Sequence, residues 1–323
     1  MVHKLFARIA LAGMAVFSAT AACAVESWPT RPITLIVPWA AGGSTDTLAR
    51  ILGQDLGERL NTTIIIENKP GAGGTIGSMH VARSTPNGYT FLLGVSGDQI
   101  NAEFLYPELQ YSPSKDLVPV GLVASEALII SARPDLPAKS TQDIITRSKE
   151  QQVTFGTSGV GSTGHLAGEL LNRATGAQLQ AVPYKGGAPA VTDTMAGHLD
   201  LVIVSPIAVD QQIKGGQLKP IATTAAQRLD TLPDVPTLKE GGVDLEINTF
   251  YMMVAPSGTP PAIIEQMNQA LGATLDNPEV KEKVRNLGAE PQSSTTEELR
   301  SLMSDERARW GALIESAGLA VQK

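Results

Sequence analysis

Short apolar runs alternate with amphipathic stretches in the first third of the chain. Branched apolar residues predict three buried strands, at 33–37, 63–67 and 90–95. Apolar side chains recur at helical spacing after the first strand, at Leu48, Ile51, Leu52, Leu56 and Leu60. A second helix is predicted at about 76–84. This β-α-β-α-β order implies a parallel sheet with right-handed crossovers.

The same alternation returns later in the chain. Helices are predicted at 141–150, 165–174 and 188–197, and strands at 153–156, 179–183, 199–204 and 218–224. Between the last two strands no helix is predicted. Extended stretches at 118–130 and 247–255 are long enough to cross between two sheets, and the chain closes with helices at 261–275, 278–287 and 296–317. We therefore predict an α/β fold with two lobes and a ligand cleft between them: 25–124 with 250–323, and 125–249.

The N-terminal residues have the pattern of a secretory signal peptide. Lys4 and Arg8 precede an uncharged stretch that ends in Ala22-Cys23-Ala24. The apolar run is shorter than the roughly 20 residues that span a bilayer. We therefore predict cleavage after residue 24 and a periplasmic location. A lipoprotein anchored through Cys23 is the alternative.

Composition narrows the function classes. The only cysteine is Cys23, so the predicted mature chain has neither a disulfide nor a thiolate metal site. The net charge is −7, and no run of basic residues suggests nucleic-acid binding. The sequence therefore predicts a protein without a cofactor or a metal ion, whose fold is stabilised by its apolar core.

Three polar, glycine-containing segments follow predicted strands, where open α/β sheets bind ligands. They span 39–46, 96–99 and 157–165. A glycine-rich turn that opens a helix presents free backbone N–H groups and the positive end of the helix dipole. Such a turn favours an anion. Asp46 also has a structural interpretation as an acidic residue in the first helical turn, and Trp39, Phe250 and Tyr251 are either cleft or core residues.

Two enzymatic interpretations lack their supporting residues. The segment Gly159-Val-Gly-Ser-Thr-Gly164 matches the dinucleotide pattern G-x-G-x-x-G, but the next strand ends without the acidic residue that holds the ribose. There is no G-x-S-x-G turn and no H-E-x-x-H pair. Among the histidines after residue 24, only His165 lies beside a proposed ligand segment.

Several motifs resemble the Bug family, the extracytoplasmic solute receptors of tripartite tricarboxylate transporters. They follow in order over nearly all of the predicted mature chain: Val37-Pro-Trp-Ala-Ala-Gly-Gly-Ser-Thr-Asp46, Glu67-Asn-Lys-Pro-Gly-Ala-Gly-Gly74, Pro86-Asn-Gly-Tyr-Thr90, Gly161-Ser-Thr-Gly-His165 and Leu232-Pro-Asp-Val-Pro-Thr237. The resemblance implies a two-lobed, type II-like periplasmic binding protein fold. It also implies a small carboxylate ligand: a di- or tricarboxylate, an acidic amino acid or an aromatic acid.

The resemblance also implies where the ligand lies. Segments 39–46 and 157–165 would hold one carboxylate, and Ser96, Ser205 and Phe250 would shape the other end. The full set of expected ligand residues is Trp39, Ala41, Gly42, Gly43, Ser44, Asp46, Ser96, Thr157, Ser158, Gly161, Ser162, Thr163, His165, Ser205, Phe250 and Tyr251. Many members have Asp-Asn where this chain has Val204-Ser205, and Trp-Phe at 250–251, so no relative's ligand can be assumed.

We therefore expect a monomeric periplasmic binding protein that delivers a small organic acid to a membrane permease. The alternatives are a carboxylate-processing enzyme, in which His165 would be needed for turnover, and a ligand-sensing partner of a membrane receptor. Neither a nucleic acid nor a cofactor is expected.

Overall fold

The computed structural model describes residues 28–106, 108–316 and 318–319. The predicted signal peptide, with Cys23, lies outside these residues. In chain order the strands are β1 (Ile33–Val37), β2 (Ile64–Asn68), β3 (Thr90–Val95), β4 (Leu117–Ala127), β5 (Ile129–Ala132), β6 (Val153–Thr157), β7 (Leu179–Pro183), β8 (Leu201–Val204), β9 (Lys219–Thr223), β10 (Asn248–Pro256) and β11 (Glu290–Pro291).

The α-helices are α1 (Ser44–Arg59), α2 (Thr75–Ala82), α3 (Ala102–Leu105), α4 (Pro113–Asp116), α5 (Thr141–Glu150), α6 (Thr163–Thr175), α7 (Gly187–Met195), α8 (Pro206–Lys214), α9 (Pro261–Asp276), α10 (Pro278–Arg285) and α11 (Thr296–Ser316). A 3₁₀ turn (Ala72–Gly74) precedes α2, and a π-helical turn (Gly97–Asn101) follows β3.

The first lobe is built on a six-stranded sheet in the order β11-β4-β10-β3-β1-β2. Strands β2, β1 and β3 are parallel, as their β-α-β-α-β order predicts. The apolar run in β1 is fully inside, with Ile36 and Val37 0% exposed, because helices cover both faces of a parallel sheet. Strand β10 pairs antiparallel to β3, since it enters this sheet on the return from the second lobe.

The second lobe is built on a five-stranded sheet in the order β7-β6-β8-β5-β9. Strands β7, β6 and β8 are parallel, and β5 is antiparallel to both of its neighbours. Each sheet therefore combines a parallel β-α-β unit with strands from the crossings. The predicted lobe boundaries, 124/125 and 249/250, fall inside β4 and β10, and that exact division of the chain stays a prediction.

Three helices were missed by the sequence interpretation: the four-residue α3 and α4, and the longer α8. Helix α8 fills the interval between β8 and β9, with Ser205 as its N-cap and Pro206 in its first turn. The Ser205 hydroxyl accepts a hydrogen bond from the Ile207 N–H at 3.1 Å. A serine N-cap followed by proline is a strong helix-start signal, so the sequence did contain this information.

Thr224 forms hydrogen bonds to both segments of the chain that cross between the lobes. The Leu128 N–H donates to Thr224 Oγ1 at 2.8 Å, and the Thr224 N–H donates to the Leu128 carbonyl at 2.9 Å. The Thr224 hydroxyl then donates to the Ile247 carbonyl at 2.7 Å, and the Ile247 N–H donates to the Thr224 carbonyl at 3.0 Å. This network makes the β4–β5 link and the segment before β10 a single hinge region.

The lobes also touch at the rim of the cleft. The Ala40 N–H donates to the Lys185 carbonyl at 3.1 Å, and the Tyr106 hydroxyl donates to the Val160 carbonyl at 2.8 Å. The backbones approach closely beside Ala40, where a Cβ added to Gly186 would lie 2.9 Å from the Ala40 nitrogen. Access to the cleft therefore requires these rim contacts to open.

Candidate functional site

A narrow cavity lies between the two lobes, with a volume of about 40 Å³. Both lobes contribute to its wall. The residues that line it are Trp39, Gly43, Ser44, Thr45, Val95, Glu126, Leu128, Ser158, Ser162, Thr163, Gly164, Gly187, Ile203, Val204, Ser205, Thr249 and Tyr251. Among these lining residues there is no lysine, arginine or histidine. Any charge complementarity toward an anion must therefore come from dipoles and neutral donors.

Four helices begin at this cavity. Helix α7 contributes Gly187 and helix α8 its N-cap Ser205, whereas the starts of α1 and α6 contribute three lining residues each. Helix α1 starts at Ser44 after its N-cap Gly43, and helix α6 starts at Thr163 after its N-cap Ser162. The first turn of a helix has N–H groups without intrahelical acceptors, and its end carries roughly half a positive charge. The α1 and α6 starts come from different lobes and line one space. Together they form a site with a local preference for a negative group.

Two buried side-chain donors add to this preference. Trp39 is 5% exposed and Thr163 4% exposed, and both line the cavity. Within residues 28–106, 108–316 and 318–319, neither the Trp39 indole nitrogen nor the Thr163 hydroxyl has a hydrogen-bond partner. Buried polar atoms normally find a partner, so these two are available to a ligand. We call Trp39, Ser44, Thr45, Thr163 and Gly164 the donor region.

A second polar group, which we call the acidic region, consists of Glu126, Ser205 and Tyr251. Glu126 is 5% exposed and lies next to the end of β4. Its Oε2 accepts a hydrogen bond from the Ser205 hydroxyl at 2.6 Å, and its Oε1 accepts one from the Tyr251 hydroxyl. Ser205 belongs to the second lobe, whereas Glu126 and Tyr251 belong to the first, so this network joins the lobes inside the cavity.

Burial dominates the electrostatics of the acidic region. It raises the pKa of Glu126 to about 8, against the hydrogen bonds from Ser205 and Tyr251, which favour the charged form. Burial and the neighbouring Glu126 carboxylate also raise the pKa of Tyr251 well above its ordinary value. The Tyr251 phenol therefore stays a hydrogen-bond donor, and Glu126 is its acceptor.

Phe250 and Tyr251, two of the aromatic residues predicted to bind the ligand, lie on opposite faces of β10. Successive side chains of a strand point to opposite faces. Thr249 and Tyr251 of β10 line the cavity, and Phe250 between them does not. The Phe250 backbone N–H donates to the Ser96 hydroxyl at 3.0 Å. Ser96 is fully buried and therefore anchors β10 beside β3 without reaching the cavity lining.

Asp46 is held by its own helix. Its carboxylate accepts hydrogen bonds from the Gly42 N–H at 2.9 Å and from Arg50 at 2.9 and 3.0 Å. Burial would raise its pKa, but these bonds outweigh burial and lower the pKa. Asp46 is not in the cavity lining. Its position fits the structural interpretation, in which it fixes the turn that opens α1.

The turn before α6 is supported in a similar way. The Gly161 N–H donates to His165 Nδ1 at 3.2 Å, so this nitrogen is unprotonated. Burial lowers the pKa of His165, which favours the same neutral form. Thr157 binds the Gly159 N–H through its hydroxyl at 3.3 Å. Gly161 has φ of +79°, a conformation that favours glycine. These residues shape the loop and lie outside the cavity lining.

The structure thus brings half of the predicted ligand residues into the lining: Trp39, Gly43, Ser44, Ser158, Ser162, Thr163, Ser205 and Tyr251. The others are outside it: Ala41, Gly42, Asp46, Ser96, Thr157, Gly161, His165 and Phe250. Sequence reasoning missed several lining residues, including Thr45, Glu126, Gly187 and Thr249. The one available signal for Glu126 was a single acidic residue within an otherwise apolar extended run.

The described part of the chain contains no group of three or more histidine, cysteine or acidic residues that could hold a metal ion. Nor does any helix in that part have the length and apolar character needed to cross a membrane.

Comparison with known proteins identifies the family. Residues 48–319 match the model of the tripartite tricarboxylate transporter family receptor, TctC. The chain belongs to this receptor family. A UPF0065 protein from the TAR-I ttuE-ttuC' intergenic region of Agrobacterium vitis is 38% identical over 301 residues, which cover 91% of this chain and 87% of the relative.

Solved structures of receptor-family relatives share the fold. The periplasmic binding protein BugD is 36% identical with a TM-score of 0.88, and the match covers 91% of this chain and all of BugD. An R. palustris protein with adipate is 35% identical with a TM-score of 0.88, covering 91% and 99% of the two chains. MatC from Rhodopseudomonas palustris with bound malate is 31% identical with a TM-score of 0.85, covering 89% and 100%. The predicted family and the two-lobed α/β periplasmic binding protein fold are confirmed.

Proposed function

We propose that this chain is a periplasmic receptor that binds a small organic acid and delivers it to the membrane permease of a tripartite tricarboxylate transporter. The ligand carboxylate lies in the donor region, against the first turns of α1 and α6. The acid is a di- or tricarboxylate, an acidic amino acid or an aromatic acid. The receptor acts as a monomer without a cofactor, and it performs no chemical reaction.

One observation carries this proposal: helix starts from both lobes meet at a cavity in which the Trp39 indole and the Thr163 hydroxyl have no partner among the described residues. A hydrogen bond to a charged group contributes about 1.5–3 kcal/mol. Four or five such bonds would exceed the cost of association and reach micromolar affinity, about −8 kcal/mol. Neutral donors also allow release, which a transport receptor requires.

The relatives support the same ligand class. Solved structures of similar proteins contain adipate and malate, both small carboxylates. Receptor-family membership supports the permease as partner. Export through the predicted signal peptide, with cleavage after residue 24, would deliver the chain to the periplasm, and the similar BugD is a periplasmic binding protein.

A thermal-shift screen of organic acids tests the proposal on the chain purified without residues 1–24. A ligand at one hundred times its Kd stabilises the folded state by about 2.7 kcal/mol, so several acids should raise the Tm by several degrees. Each stabilising acid is then incubated with the protein and analysed by mass spectrometry. Stabilisation with unchanged ligand supports the receptor. Conversion of the ligand, lost on His165→Ala, would instead indicate an enzyme, and the absence of any shift would favour a sensor with another partner.

A further inference from the structure

Glu126 is a buried acidic residue in the wall of the ligand cavity. It is 5% exposed, and its two carboxylate oxygens accept one hydrogen bond each, from Ser205 and from Tyr251. Each oxygen of a carboxylate can accept a further hydrogen bond. Glu126 therefore has acceptor capacity left for a ligand, although each of its two oxygens already accepts one hydrogen bond from the protein.

Glu126 has no cationic partner among the residues that line the cavity, because none of them is lysine, arginine or histidine. Burying a carboxylate is costly unless a positive group compensates it. Helix α8 begins beside Glu126, but Pro206 has no N–H and the Ile207 N–H is bound to the Ser205 hydroxyl. The two hydroxyl groups supply hydrogen bonds without a positive charge.

The remainder of the cavity favours a negative group. The donor region offers helix N-termini and unpartnered donors, whereas the acidic region, once Glu126 has lost its proton, offers only acceptors to a further group. A ligand with one carboxylate and one ammonium group complements both regions. Burial keeps the proton on Glu126 up to a pKa of about 8, and an ammonium group beside it would favour the charged carboxylate and release that proton. A dicarboxylate would meet a second negative charge once that proton is lost, and like charges repel strongly in a buried setting.

We propose that Glu126 binds the ammonium group of the ligand, and that this receptor takes a small amino acid whose carboxylate lies in the donor region. Glu126 is then the residue that determines specificity within the carboxylate class. This inference rests on the proposed function, since it assumes that the carboxylate is bound by the first turns of α1 and α6.

The test measures calorimetric affinities for three matched series of two to five carbons: unbranched amino acids from glycine to 5-aminopentanoate, dicarboxylates from oxalate to glutarate, and alkanoates. In the wild-type protein at pH 9, above the Glu126 pKa of about 8, the best amino acid should bind at least tenfold more tightly than the dicarboxylate of the same carbon number. In Glu126→Gln, the affinity for that amino acid should fall at least tenfold. The alkanoate affinity should stay within about threefold, and the dicarboxylate affinity should rise.

Two variants complete the design. Glu126→Asp keeps the charge and should retain the preference for the amino acid. If the amide variant does not fold, the wild-type comparison of the three series carries the test. Glu169→Gln is the matched control, because Glu169 is a partly buried carboxyl of α6 outside the cavity lining. It should change no affinity more than twofold.

The outcomes separate the two hypotheses. If dicarboxylates bind the wild-type protein more tightly than amino acids of equal carbon number, or if Glu126→Gln leaves the ratio unchanged, the ammonium assignment is wrong and the carboxylate receptor stands. If no acid of the three series or of the wider screen binds, the proposed function is wrong, and so is the assignment to Glu126 that rests on it.

Discussion

The donor region and the acidic region are built from different parts of the protein. The donor region depends on local structure: a turn leads into a helix, and the first residues of α1 and of α6 line the cavity. The acidic region depends on tertiary structure, because Glu126 and Tyr251 lie 125 residues apart and Ser205 belongs to the other lobe. One region is encoded by short motifs and the other by the packing of distant segments.

This difference suggests how specificity varies within one fold. A carboxylate site made of backbone groups is insensitive to most side-chain changes and serves every acid. A side chain such as Glu126 changes the charge of the cavity with one substitution. We expect changes in the donor region to alter all affinities together, and changes in the acidic region to alter their order.

The largest effect should follow from the contact that positions α6. A Cβ added to Gly164 would lie 2.1 Å from the Ile203 carbonyl oxygen. Gly164→Ala must therefore push the start of α6 away from β8, and we expect a loss of about 3 kcal/mol in the free energy of unfolding, measured with urea. Gly272→Ala in α9 is the control, because no atom lies within 4 Å of its added Cβ, and it should be neutral or stabilise by up to about 1 kcal/mol. Equal stability of the two variants would contradict the observed packing.

A smaller change at α1 should test the donor region directly. Gly43 lines the cavity and has φ of −80°, so a side chain there meets no backbone strain. Its Cβ would lie 3.2 Å from the Ala40 carbonyl oxygen and 4.0 Å from the nitrogen of Gly187, another lining residue. Gly43→Val should weaken all bound acids by about tenfold to a hundredfold, or roughly 1.4–2.8 kcal/mol, without changing their order. Calorimetry on three acids of different length measures this. Unchanged affinities would mean that the anion does not lie at α1.

The acidic region should give the protein a pH-dependent stability. The pKa of Glu126 is raised from 4.5 to about 8 in the folded state. Between these values the folded state holds a proton that the unfolded state has lost, so stability falls as pH rises. The slope is about 1.4 kcal/mol per pH unit, and it flattens above pH 8. Urea unfolding from pH 6.5 to pH 9 should show this loss in the wild-type protein.

Glu126→Gln should remove most of that slope. Two other groups contribute only near the lower end of this window, below about pH 7.5: the pKa of Asp98 is raised by burial to about 6, and the pKa of His165 is lowered by burial from its unfolded value of 6.5. Parallel pH profiles of the variant and the wild-type protein would show that Glu126 is not the titrating group.

The smallest effect should come from one hydroxyl of the donor region. Thr163 and Thr141 are both buried first residues of helices that follow a serine N-cap, and both hydroxyls lack a partner within the described residues. Only Thr163 lines the cavity. Thr163→Val should weaken acid binding about tenfold, the lower value for one hydrogen bond to a charged group, whereas Thr141→Val should leave the calorimetric affinity unchanged. Equal effects would show that the Thr163 hydroxyl does not contact the ligand.

The sequence was sufficient for the parts that depend on short-range patterns. The apolar runs predicted β1 to β3, and the glycine-rich turns predicted the starts of α1 and α6. It was insufficient where distant segments meet. The antiparallel entry of β10 and the approach of Glu126 to Ser205 depend on how the lobes are joined. Strand periodicity shows that Phe250 and Tyr251 point to opposite faces of β10, but it does not show which face is turned toward the cavity.

The central claim is that a carboxylate binds between the first turns of α1 and α6 without a cationic side chain. A crystal structure of the chain with the most stabilising acid of the screen tests it most directly. We predict carboxylate oxygens within hydrogen-bond distance of backbone N–H groups at both helix starts and of the Trp39 indole nitrogen or the Thr163 hydroxyl. A carboxylate bound instead by a lysine or arginine, or bound outside the interlobe cavity, would contradict the account.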